Sequence, residues 1–290
     1  MLAIIESMAK LGLAGVMLFA TSSSEAQILN VEALDGQNVA WDSSSQDHNG
    51  TMPIGNGDLA ANVWVEPNGD LLFYLSKSDA WSSEQELFEL GRVRVRLDPL
   101  FVRAENVFKQ TLDLKTGTIR IQSTVDGQLT EIRFWIDANH PVVNVEIDGA
   151  SAFSAQVMLE PWRIPGATPY GGAVPDTILP PEGNTIRWYQ RNTTSIYEST
   201  LTGQNLGHLV GSHLDPLTNL TFGGLISGTG LISSNATTLV TQGPVTNLHL
   251  RIHALTAKTA TAEDWVQQMQ TQCATVEGLA VGQTRADHES

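Results

Sequence analysis

Apolar and polar residues alternate along much of the chain between residues 57 and 160, and this period of two predicts β-strands. In residues 91–97, Val93, Val95 and Leu97 share one face, and Arg92, Arg94 and Arg96 share the other. Ile119 and Ile121 alternate with Arg120 and Gln122. Val143, Val145 and Ile147 alternate with Asn144, Glu146 and Asp148, and Phe153, Ala155, Val157 and Leu159 continue the pattern. In residues 129–136, Ile132, Phe134 and Ile136 face one way, which leaves Trp135 on the polar side. Two turn signals join such runs. Asn68-Gly69 supplies the positive φ values of a hairpin between residues 57–66 and 71–76, and Asp126-Gly127 turns the chain into residues 129–136. Strands with one dry and one wet face belong to antiparallel sheets. Many of them in succession predict an all-β fold, a large antiparallel β-sandwich.

The alternation stops at Pro161. Residues 161–183 hold Pro161, Pro165, Pro169, Pro175, Pro180 and Pro181 with Gly166, Gly171 and Gly172, and predict a long loop of the kind that carries function. Strands resume at 186–189, weaken through 220–225 and 230–241, and end in a clear strand at 248–252. A period of 3.6 appears only near the end. Thr261 reads as an N-cap with Asp264 completing a capping box, and Trp265, Met269, Cys273, Val276 and Ala280 form the apolar stripe of one C-terminal amphipathic helix. That stripe either folds back on the sandwich or stays exposed for a partner.

The other end reads as an export signal. Lys10 precedes the apolar run 11–20, and Ser24-Glu25-Ala26 forms a small-x-small cleavage site before Gln27. The run is too short to span a bilayer. Translation from Met8 would remove Glu6 from the basic region. The expected organisation is a signal peptide over 1–26, a β-sandwich over 27–258 and a helical linker over 259–290. The expected location is secreted or periplasmic, with no membrane insertion after cleavage.

Charge and cysteine content narrow the chemistry. The chain has 290 residues with 16 Lys plus Arg and 31 Asp plus Glu, a net charge of −15. This argues against nucleic acid and against anionic membrane surfaces as partners. The single Cys273 permits no intrachain disulfide and no cysteine-based zinc site, and it reads as a small apolar filler in the helix stripe. Gly55-Asn56-Gly57 lacks the context of a nucleotide-binding loop. His249 and His253 lie in a strand roughly 13 Å apart at about 3.3 Å per residue, too far to chelate one ion. No EF-hand spacing and no Gly-x-Ser-x-Gly elbow is present. No metal and no cofactor are expected. Tryptophans beside polar groups, Trp135 and Trp162 among them, suit a carbohydrate partner, because an indole face packs on a sugar while neighbours take its hydroxyls.

Trp41-Asp42-Ser43-Ser44-Ser45 and the stretch 50–64, which contains Pro53-Ile54-Gly55-Asn56-Gly57-Asp58, resemble the start of the N-terminal domain of the domain-of-unknown-function 5703 family. Residues 70–81 and Leu90-Gly91-Arg92-Val93-Arg94 are similar to the same family. Pro53-Ile54-Gly55-Asn56-Gly57 also resembles the entry motif of family 95 glycoside hydrolases, the alpha-L-fucosidases. The resemblance implies a β-sandwich of the supersandwich type, followed by a helical linker and an (α/α)6 barrel that carries the catalytic carboxylates. The chain ends about where the linker would lead into that barrel, so no catalytic residue is carried over to it.

The expected function is therefore that of an exported N-terminal domain of a glycoside-hydrolase-like protein. It would support a C-terminal catalytic barrel and form part of a carbohydrate pocket, for a polysaccharide or an oligosaccharide. The candidate substrate-binding residues are Asn56, Asp58, Asp79, Trp81, Trp162 and Arg163. Asn and Asp would take hydroxyls, Trp would stack, and Arg would orient a carboxylate or hydroxyl. The Asn56–Asp58 loop reads equally well as plain turn chemistry. The rival readings are a free-standing carbohydrate-binding module and a structural domain that assembles through an uncovered helix.

Overall fold

The structure is a computed structural model that describes residues 31–103, 107–166 and 174–290. The expected signal peptide, and residues 167–173 of the Pro-rich loop, lie outside the described residues. The strands are β1 (Val39–Trp41), β2 (Met52–Gly55), β3 (Leu59–Val65), β4 (Leu71–Trp81), β5 (Leu87–Asp98), β6 (Val107–Asp113), β7 (Thr118–Val125) and β8 (Gln128–Ile136). They continue as β9 (Val142–Glu160), β10 (Thr177–Ile178), β11 (Ile186–Arg191), β12 (Leu220–Gly228), β13 (Leu231–Asn235), β14 (Thr238–Thr241) and β15 (Val245–Lys258). The helices are α1 (Tyr197–Gly203), α2 (Ala262–Glu277) and α3 (Val281–Glu289). Among the described residues no helix is long and apolar enough to cross a membrane.

All strand pairs are antiparallel, and β9 belongs to both layers of the sandwich. Its first half pairs with β8 and β15 in the order β1-β6-β7-β8-β9-β15-β12-β11-β10. Its second half pairs with β5 and β14, in a layer running from β2 through β3, β4 and β5 to β9, β14 and β13. The strand turns the corner between layers over residues 148–152, where its residues become exposed or half-exposed. Gly149 sits in this corner, and a Cβ there would lie 2.7 Å from the Ser151 carbonyl oxygen. The two alternating runs expected at 143–147 and 153–159 are thus one strand with a bend, because the apolar face must follow the core from one layer to the other.

The expected alternation is the packing of the interior. Val93, Val95, Leu97, Phe134, Val145 and Val157 all point into one continuous core between the layers. Phe73 of β4 meets Phe134 of β8 edge to face, with ring centroids 4.9 Å apart. The Trp188 Nε1 of β11 donates to the Leu90 carbonyl of β5 at 2.7 Å, a polar tie between the layers. Each fully buried side chain of this size contributes about 1.5–3 kcal/mol. Both turn signals also hold. Gly69 takes φ +86 between β3 and β4, and Asp126 and Gly127 take φ +50 and +75 between β7 and β8.

Helix α2 forms where expected, and Thr261 and Asp264 exchange both capping-box hydrogen bonds, at 3.0 and 3.1 Å. Its stripe folds back on the outer face of β11, β12 and β15, where Trp265, Met269 and Cys273 pack on Leu225, Tyr189 and Leu255. The helix therefore offers no uncovered apolar stripe for assembly. Burial pushes the Cys273 thiol up to about 12, as befits a filler. The helical linker expected over 259–290 as one helix is two: α2 ends at Glu277, short of Ala280, and α3 follows and lies over Trp135. Trp135 is on the polar side of β8, as its strand period requires, but it is fully buried rather than exposed. The strand period decides which side of a sheet a residue takes, and a later element decides whether that side is wet.

Candidate functional site

The β4 strand supplies the candidate site because it leaves its partner early. Its pairing with β5 shifts register after Leu75 and again between Ser76 and Trp81, which frees Lys77, Ser78 and Asp79 at the rim of the sandwich. Leu71, Phe73 and Leu75 face the core, and the same phase turns Lys77 inward, where it is 6% exposed. A buried ammonium needs carboxylates. Lys77 Nζ donates to Asp58 Oδ1 at 2.7 Å and to Asp79 Oδ1 at 2.8 Å, and both carboxylates remain about half exposed. Lys77 was not among the expected site residues. Its signal was a lysine standing in the apolar phase of a strand.

Asn56 fixes Asp58 in this arrangement. Its Oδ1 accepts from the Asp58 and Leu59 amides at 3.0 and 2.8 Å, and its Nδ2 donates to the Asp137 carbonyl at 2.8 Å. Both ends of the Asn56 amide are therefore spent on protein partners. Trp81 closes the strand with its ring 40% exposed. Its carbonyl accepts from Asn192 Nδ2 at 2.9 Å, and the Ile196 amide donates to the Ser83 carbonyl at 3.0 Å. The segment that contains α1 is thereby stitched to the β4–β5 hairpin. The segment is braced by Asp215, which takes hydrogen bonds from Ser195, Leu217 and Thr218. Burial pushes the Asp215 carboxyl up, but these bonds outweigh it and hold it below the usual range.

Trp162 and Arg163 reach β4 and β5 through other contacts. Arg163 is buried, and its guanidinium binds Asp176 and the Glu89 carbonyl at 2.9 Å each while lying over the Phe88 ring at 5.1 Å. The Asp176 amide returns a bond to the Arg163 carbonyl at 2.8 Å, so the pair pins the two ends of the Pro-rich loop together. Burial pushes Asp176 up to about 6 against the pull of Arg163. Trp162 packs edge-on against Tyr74 at 5.7 Å, in an aromatic group with Trp64 at 5.1 Å from Tyr74. Arg92, Arg94 and Arg96 share the outer face of β5 as expected, and Glu160, Glu66 and Asp70 pair with them. Of the six candidate residues, Asn56, Asp58 and Asp79 thus gather at Lys77, and Trp81 lies further along the same strand, at its end. Among the described residues, no hydrogen bond, ion pair or ring contact joins them to Trp162 and Arg163.

The rim offers two hydrogen-bond acceptors, an indole face and little positive charge. That combination receives hydroxyl donors and an apolar ring face. Two exposed apolar residues lie at the hairpin end, Leu87, 50% exposed and paired with Trp81, and Ile196, 37% exposed and bonded through its amide to Ser83.

Comparison with known proteins places the chain. No curated protein matches it. A solved structure described as a putative kojibiose phosphorylase from human microbiome is similar over 87% of this chain, with 8% identity and a TM-score of 0.49. The chain spans 37% of the length of that structure. The N-terminal family described as Domain of unknown function (DUF5703) matches residues 40–290, which takes in the rim, the sandwich and both C-terminal helices. The chain belongs to the DUF5703 family, as its N-terminal domain.

Proposed function

We propose that this chain acts as the exported N-terminal β-sandwich of a glycoside-hydrolase-like protein, and that its Trp81 rim supports a catalytic barrel and forms one wall of a carbohydrate pocket. The observation that carries this reading is the rim itself. Exposed Trp81 and Leu87 pair across the end of the β4–β5 hairpin, on the strand that carries Lys77, and Lys77 binds the two half-exposed carboxylates of Asp58 and Asp79. Apolar area of this kind marks a surface that meets another body, and fixed acceptors beside an indole suit sugar hydroxyls. Family membership and the Pro53-Ile54-Gly55-Asn56-Gly57 motif support the glycoside-hydrolase-like assignment. Lys10 and the apolar run before Ser24-Glu25-Ala26 support export.

The test uses a barrel-bearing member of the family. Replacing the tryptophan at the position of Trp81 by alanine raises KM for the glycan several-fold and leaves the melting temperature unchanged. Unchanged kinetics, or a loss of folding in step with activity, would count against the rim as a pocket wall.

A further inference from the structure

A second face of the molecule has the makings of a binding site and is closed by its own chain. Antiparallel register places Arg133, Glu146 and His249 in one row across β8, β9 and β15, and Trp135, Asn144 and Arg251 in the next. Trp135 Nε1 donates to Glu146 Oε1 on the neighbouring strand at 3.0 Å, so the indole is tethered along the sheet. Helix α3 occupies the space above it. The His288 ring stacks on the indole at 5.0 Å with the planes 31° apart, and Arg285 Nη1 donates to Glu146 Oε2 at 2.6 Å.

Helix α3 has the features of a cover rather than a core element. Thr284 is its one buried residue, and no side chain caps its N-terminus. His288 Nδ1 is buried without a partner, so the docked state carries an unmet polar group. Where α2 hands over to α3, a cavity of about 240 Å³ remains, lined by His249, Arg251, Glu277, Ala280 and Val281 among others.

His288 Nε2 also meets the Gly117 carbonyl at 3.3 Å beside this face. The two contacts that α3 makes with the face itself describe what would replace them. One is a flat group over an indole, and the other is a hydrogen-bond donor on a carboxylate. A pyranose supplies both, with its C–H face on the ring and a hydroxyl toward Glu146. We propose that Trp135, Glu146, Asn144 and His249 form a binding face for a neutral oligosaccharide, and that α3 is a displaceable cover lying over it. This face is separate from the Trp81 rim, and either can fail alone.

The test labels the full chain with 5-fluorotryptophan and follows Trp135 and Trp81 by 19F NMR, each assigned by substitution. A soluble paramagnetic agent broadens Trp81 in the wild type and leaves Trp135 sharp. In the double variant Arg285→Ala/His288→Ala, Trp135 broadens too. Cellohexaose or xylohexaose then shifts Trp135 at concentrations about tenfold lower than in the wild type, as removal of a competing cover requires. Adding Glu146→Gln to the double variant abolishes that shift. Three results overturn the proposal: Trp135 stays protected in the double variant, Trp135 becomes accessible but neither glycan shifts it, or only a peptide of residues 279–290 binds. Should the double variant lose its dispersed spectrum, Arg285→Gln alone is read in the same way, with the same outcomes.

Discussion

Trp81 closes β4 and Trp135 stands one residue from the end of β8, and neither belongs to the apolar layer between the sheets. Their surroundings differ completely. Trp81 is 40% exposed, whereas Trp135 is fully buried. The segment laid against Trp81 ties to backbone carbonyls of its hairpin, through the Asn192 side chain and the Ile196 amide, and leaves the indole part-exposed. The helix laid over Trp135 uses side chains, with His288 on the ring and Arg285 on the carboxylate that holds it. A strand end on a sandwich can therefore present or conceal the same residue type. The choice rests with the element that docks later and with the atoms it docks through.

The strongest way to break this comparison is truncation of the covered ring. Trp135→Ala should lower unfolding stability by about 3–5 kcal/mol in urea titrations, as for other buried aromatics. A cost under about 1 kcal/mol would mean that α3 does not hold Trp135 in solution.

The next effect is a pH dependence of the covered face, set against an opposite one from Asp176, whose raised carboxyl gains stability as pH falls through about 6. Burial, reinforced by the Arg251 charge, holds His249 at about 4 against an ordinary value of 6.5. As pH falls below 6.5 the unfolded chain takes the proton first, so stability is lost between about 6.5 and 4. The loss is about 3.4 kcal/mol at most. His249→Asn should flatten this segment of the curve, read as the urea midpoint at pH 7 and pH 4.5. Glu277 acts in a lower window. The hydrogen bond from His253, helped by Ser227 and the Arg251 charge, outweighs burial and holds Glu277 at about 2. Glu277, whose ordinary value is 4.5, therefore contributes a loss that begins below about 4.5, joined below 3.8 by Asp70 and Asp215, whose carboxyls are also held low.

Arg285→Ala should cost about 1 kcal/mol or less, because its ion pair with Glu146 is partly solvated. Faster amide exchange confined to α3 would accompany it, and exchange spreading into β8 would show that the helix is part of the core unit. The smallest effect is expected at the rim. Trp81→Ala should change stability by about 0.5 kcal/mol in the same urea titration, since the residue is 40% exposed and, among the described residues, its hydrogen bonds run through its backbone.

Much of the architecture can be read from local pattern. Val93, Val95 and Leu97 face the core because a period of two leaves them no other side once the strand forms. Gly69 and Gly127 make their turns because positive φ costs glycine nothing. Thr261 and Asp264 start α2 through bonds between residues three apart. The short strands β1, β2 and β10 were not legible, since they are held by pairing with distant strands rather than by their own pattern. The candidate site was legible in part. Asp58 and Asp79 were named, but the Lys77 that joins them was not. Arg163 was expected to face a sugar, and its actual partner, Asp176, lies across a loop whose path no local rule gives.

Residue type, order and periodicity by themselves determined the antiparallel class, the turns, the capped helix and the side of each strand that would be apolar. These depend on contacts a few residues apart, where geometry allows few alternatives. The tertiary structure alone decided that β9 serves both layers, that the α2 stripe folds back on the sandwich, and that α3 buries Trp135 while Trp81 stays open. Each of those outcomes joins segments far apart in the chain. Each was settled by the shape and hydrogen-bonding of the assembled surface, which exists only after the strands have paired.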